Sequence, residues 1–85
     1  MKYEILTENK NIEYIAKTVA KCFTGFSIAE QIGYWQGKSE KSLNITIITD
    51  KENEFMVEQV AEQIRSYNQQ DAVMVVSSKV NVKFI

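Results

Sequence analysis

Residues 26–49 read FSIAEQIGYWQGKSEKSLNITIIT, and this stretch decides the fold. Its first part, residues 26–36, alternates in the two-residue period of a strand. Phe26, Ile28, Ile32 and Tyr34 share one face, interrupted by Glu30, while Ser27, Ala29, Gln31, Gly33 and Trp35 share the other. Gly37 to Lys41 is a polar, charged connection. Residues 42–49 alternate again, with Leu43, Ile45 and Ile47 on the core face and Asn44 and Thr46 opposite. Two strands joined by so short a link form a hairpin.

Outward from the hairpin the period changes to that of a helix on both sides. Upstream, over residues 11–24, Ile12, Ile15, Ala16, Val19 and Phe23 form one apolar stripe. Asn9 or Asn11 stands where a cap is wanted, and Gly25 stands where a left-handed C-terminal cap is expected. Downstream, Thr49-Asp50-Lys51-Glu52 matches a capping box, followed by the stripe Met56, Val57, Val60, Ala61, Ile64 and Tyr67. Asn68-Gln69-Gln70-Asp71 ends that helix. Residues 1–6 read as a first strand, with Met1, Tyr3 and Ile5 on one side. Residues 72–85 read as a long last strand, with Met74, Val76, Val80, Val82 and Phe84 on one face.

The order is β-α-β-β-α-β. Each helix connects strands that lie parallel with one strand between them. This is the α+β, ferredoxin-like plan: a four-stranded antiparallel sheet with two helices on one face, formed by residues 1–85 as a single domain.

Composition sets the outer limits. The 85 residues carry 10 Lys+Arg against 11 Asp+Glu, a net charge of −1, which disfavours a non-specific nucleic-acid binder. There is no His and one Cys, so neither a self-contained His/Cys metal cage nor a Ser-His-Asp or Cys-His catalytic group can be assembled within one chain. No pair of carboxylates has a spacing that points to one catalytic centre, and Ser77 and Ser78 have no base in view. A non-enzymatic protein without cofactor or metal is the expectation. The start, MKYEIL, lacks the pattern of a signal peptide, no apolar run approaches a membrane span of about 20 residues, and a lone Cys22 suits a reducing compartment. The expected location is the cytoplasm, with no membrane partner.

A chain of this length buries only about 60% of its unfolded surface, so its core is thin. The helix-free face of the sheet then matters. Ser27, Gln31, Asn44, Thr46, Lys79, Asn81 and Lys83 on it are polar, but Ala29, Trp35, Ile48, Val73, Val75 and Ile85 share their parity. The run Val73-Met74-Val75-Val76 is apolar on both sides. Trp35, Ile48, Val73 and Val75 are therefore the candidate interface through which copies of the chain self-associate as a dimer or trimer.

In the hairpin connection, Lys38, Ser39 and Lys41 are the candidate residues for a small anionic ligand, through ammonium groups and backbone N–H donors. The plainer alternative for them is a solvated loop. Tyr34 and Trp35 have the chemistry to stack on a base, but the first and third strands offer no aromatic residue on the open face, which leaves Trp35 to packing. Glu30 is expected at the rim of its strand, and Cys22 as a buried, inert thiol.

Two resemblances follow from particular residues. Ala20-Lys21-Cys22-Phe23, Phe26–Ile28, Tyr34-Trp35-Gln36-Gly37-Lys38-Ser39-Glu40 and Ile45-Thr46-Ile47-Ile48-Thr49 resemble the CutA proteins of the PII-like group. Gly33-Tyr34-Trp35, Tyr67 and Gln70-Asp71-Ala72-Val73-Met74-Val75 resemble a set of small bacterial domains of unknown function. The first resemblance implies trimers formed by sheet packing. It also implies a small ligand, often a nucleotide, held between subunits near the hairpin, which points to Lys38 and Lys41. Without His, the copper binding suggested for CutA proteins does not carry over, and the short hairpin departs from the long signalling loop of PII proteins. The alternative function is an interaction or inhibitor protein of phage or mobile-element type that binds a host macromolecule through the open sheet face.

Overall fold

The computed structural model describes residues 1–85. The elements are β1 (Lys2–Glu8), α1 (Ile12–Ala20), β2 (Ser27–Trp35), β3 (Lys38–Ile48), a 3-10 turn (Lys51–Asn53), α2 (Glu54–Tyr67) and β4 (Met74–Ser78). They form one antiparallel sheet in the order β2-β3-β1-β4, the ferredoxin-like α+β arrangement. Both helices cover one face.

The core lies between that face and the helices. Tyr3 and Ile5 of β1 and Leu43, Ile45 and Ile47 of β3 meet Ile15, Val19 and Phe23 from the α1 side and Val57, Val60, Ala61 and Ile64 of α2. Most are completely buried. The two central strands thus hold the core, as their alternation requires. Ile12, Met56 and Tyr67, at the ends of the helical stripes, are exposed. Tyr67 stacks on Tyr14 instead, with ring centroids 3.6 Å apart, which ties the outer surfaces of the two helices together.

The polar stretch after Gly37 is strand, not loop. β2 and β3 stay paired from Ser27↔Thr46 out to Trp35↔Lys38, and only Gln36 and Gly37 make the turn. Their φ values of 50° and 78° give the doubly left-handed turn that matches the twist of a hairpin. The polar residues read as a connection because this arm passes beyond the helix layer and needs no apolar side. Ile32 and Tyr34 face the helix side yet remain 65% and 76% exposed.

The helix ends also depart from expectation. Gly25 is not left-handed; α1 closes after Ala20 with the Cys22 and Phe23 N–H groups donating to the Val19 carbonyl. Asn11 precedes α1 in a left-handed conformation and makes no side-chain cap. Thr49 does not form a capping box, because its hydroxyl accepts from the Asn53 side chain at 2.8 Å.

The last strand is the largest correction. It spans five residues rather than fourteen, ending at Ser78, which pairs with Lys2 at the start of β1. The Met1 carbonyl is taken by Thr49 N–H on the β3 side, so β1 offers the chain beyond Ser78 no further ladder. The faces are reversed as well. Ile5 of the core pairs with Val75, so Val75, with Val73, looks towards α2, and Met74 and Val76 look out from the open face. The apolar run 73–76 carries no alternation, and a one-residue slip exchanges the faces.

Candidate interaction face

The helix-free side of the sheet is built from alternate residues of all four strands. β2 supplies Ala29, Gln31, Gly33 and Trp35, and β3 supplies Lys38, Glu40, Ser42, Asn44, Thr46 and Ile48. β1 supplies Lys2, Glu4, Leu6 and Glu8, and β4 supplies Met74 and Val76. Three of its apolar members are largely exposed: Trp35 is 70% exposed, Met74 61% and Ile48 52%. Of the four candidate interface residues, Trp35 and Ile48 belong to this face, and Val73 and Val75 do not. Met74, Val76 and Leu6 take their places. The signal that would have found them is the pairing of β4 with β1.

The middle of the face is polar and ordered. Asn44 donates to the Glu4 carboxylate at 2.7 Å, and the Lys2 ammonium lies 3.8 Å from the same group. The Asn44 side-chain oxygen is buried without a partner. Beside this centre, towards the hairpin, the face sinks into an open groove of about 480 Å³. Leu6 and Met74 line the groove together with Trp35, Tyr34 and Gly33 of the hairpin. Its charged residues, Glu8 and Glu40, are carboxylates.

One wall of the groove is the connection from α2 to β4, which is anchored by a polar cluster. The Thr7 hydroxyl donates to Gln70 Oε1. Asn68 accepts from Asn11 Nδ2 at 2.8 Å and donates to the Lys10 carbonyl and to Gln70 Oε1, at 3.4 and 3.3 Å. Arg65 holds the Gln70 carbonyl at 3.1 Å while pairing with Glu62, whose carboxyl is held below its ordinary pKa chiefly by that hydrogen bond. Asn68 and Thr7 are buried. The sequence alone shows residues 68–71 only as a helix terminator, because partners 57 to 63 positions away leave no local trace.

The ligand candidates separate. Lys38 sits at the hairpin tip opposite Trp35 and shares the open-face parity. Ser39 and Lys41, opposite Tyr34 and Ile32, have the parity of Leu43 and so belong to the other side of the arm. One copy therefore does not bring both lysines to one point. Glu30 is exposed, as a rim residue should be, and accepts from Asn9 Nδ2 at 3.3 Å. Cys22 is exposed, not buried: it follows the end of α1, where the chain turns away from the core and only Phe23 packs inward.

No helix is long and apolar enough to cross a membrane. No protein-family model and no curated protein sequence matches the chain. Similar solved structures include a DUF3240 family protein from Shewanella baltica OS155, at TM-score 0.71 and 11% identity, over 99% of this chain and 96% of that one. They include Arabidopsis thaliana PII bound to citrate, at TM-score 0.63 and 17% identity, over 91% of this chain and 75% of that one. A de novo designed protein, Foldit4, aligns at TM-score 0.54 and 15% identity over 94% of each chain. At such identities the likeness is one of fold: the chain shares its ferredoxin-like architecture with PII and with a small domain family of unknown function.

Proposed function

We propose that the chain is a non-enzymatic, self-associating domain whose helix-free sheet face packs against further copies of itself. The observation behind this is the exposed apolar set Trp35, Ile48, Met74 and Val76 on a face that no element of the chain covers. A domain with a thin core gains most from covering such a patch, since burying a large apolar side chain is worth about 1.5–3 kcal/mol. The test is the solution mass by light scattering over a range of concentrations, for the native chain and for Trp35→Glu with Ile48→Glu. A stable oligomer that the double substitution dissociates is the expected result. A native chain that stays monomeric refutes the assembly, and leaves the same face to a macromolecular partner.

A small anionic ligand held between subunits belongs to this proposal. Its support is the position of Lys38 beside Trp35 on the assembling face, together with the fold shared with a PII protein bound to citrate. Citrate and a nucleoside triphosphate are suitable probes in calorimetry. Lys38→Ala is expected to weaken binding and Lys41→Ala to leave it unchanged; binding that survives Lys38→Ala removes the site.

A further inference from the structure

Gly33 stands inside β2, where a glycine weakens a strand. The fold itself does not call for it. Pairing with β3 runs unbroken through Gly33↔Glu40, so no bulge is present. Its φ is not left-handed, the positive-φ glycine of the hairpin being Gly37. A Cβ built on it meets only Ser42 Oγ, at 4.0 Å, so no neighbour crowds the position. The remaining use of a glycine within a strand is to let something from outside the chain come close.

The groove that Gly33 lines indicates what comes close. Its volume of about 480 Å³ is that of a small-molecule site. Leu6, Val73 and Met74 make it apolar, and Tyr34 and Trp35 add aromatic surface. No lysine or arginine lines it, and its charges are those of Glu8 and Glu40. Glu8 is shared with Lys10, whose ammonium lies 2.9 Å away. Glu40, directly across the ladder from Gly33, has no ion-pair partner in the chain. Lys38, two places along β3, has the same face parity but does not line the groove. Aromatic surface and carboxylates together attract one kind of ligand, a cation with an apolar body.

We propose that this groove binds a small organic cation, an amine or quaternary ammonium with an apolar or aromatic body. The body lies over Gly33, between Trp35 and Met74, and the cationic head meets Glu40. Glu40 selects by charge, because an anion of the same shape meets repulsion there. The site is distinct from the anion position proposed at Lys38. It does not rest on the self-association, since one copy supplies every lining residue.

The test uses the full chain and three probes of similar body and different charge: benzyltrimethylammonium, benzyl alcohol and benzoate. Trp35 is the only tryptophan, so its fluorescence reports occupancy of the groove, and calorimetry supplies a second reading. The cation is expected to bind saturably and about tenfold or more tighter than benzoate, with the alcohol between them. Glu8→Gln with Glu40→Gln is expected to weaken the cation about tenfold and to leave the alcohol unchanged. Gly33→Val puts a strand-favouring side chain into the open space, and is expected to abolish cation binding in a chain that melts no lower than the native one. The proposal is overturned by a cation that does not saturate the native chain in either reading, by equal affinity for cation and benzoate, or by cation binding that survives Gly33→Val. The solution mass of the same samples separates each of these results from a failure of self-association.

Discussion

The buried amide of Asn68 offers a sharp test of how the groove wall is held. It accepts one short hydrogen bond from Asn11 and donates two long ones, to the Lys10 carbonyl and to Gln70 Oε1. A hydrogen bond of this kind contributes a net 0.5–1.5 kcal/mol or so, the short one near the middle of that range and the long ones near its lower end. Asn68→Ala is therefore expected to cost about 2 kcal/mol. For a chain of this size that is a fall in melting temperature of roughly 8–16 °C. Asn68→Asp separates the donors from the acceptor. It keeps the acceptor for Asn11 but turns a carboxylate towards two oxygen acceptors, so at neutral pH it is expected to be worse than alanine. The gap should narrow as pH falls into the carboxylate range, where a protonated acid donates again. The measurement is thermal unfolding followed by circular dichroism, at neutral and acid pH. An alanine variant melting within about 2 °C of the native chain, or an aspartate variant insensitive to acid, refutes the assignment of the network.

Two further substitutions probe the core and the hairpin. The Tyr3 hydroxyl is buried, and burial first, then Glu54 through its charge and as a hydrogen-bond acceptor, then the charge of Glu58, hold its pKa above 10.0. The fold favours the neutral phenol, so that contribution to stability is complete below the ordinary phenol pKa and is lost as pH rises through the folded value. Urea midpoints between about pH 8 and pH 11 should fall more for the native chain than for Tyr3→Phe, and parallel declines refute the reasoning. At Gly37, φ is +78° and an added Cβ meets nothing within 4 Å, so Gly37→Val should cost about 1–2 kcal/mol through backbone strain alone; a melt unchanged from the native chain refutes it.

What the sequence determined by itself is the order of elements, the hairpin, and the inward residues of the central strands and both helices. Tyr3, Ile5, Leu43, Ile45 and Ile47 alternate cleanly, and Ile15, Val19, Val57, Val60 and Ile64 recur at helical spacing, because each of these elements has one dry side and one wet side. Where an element has no such contrast, its state follows from its neighbours in the fold. The hairpin arm from Lys38 to Ser42 is polar on both sides, so its strand state comes from pairing with β2 rather than from its own pattern. The run Val73–Val76 is apolar on both sides, so its inward face was settled by the partner across the ladder, Ile5 opposite Val75. The last seven residues have the strand period but lie beyond the start of β1. A strand needs a neighbour for its backbone as well as a dry face for its side chains, and a periodic sequence specifies only the second.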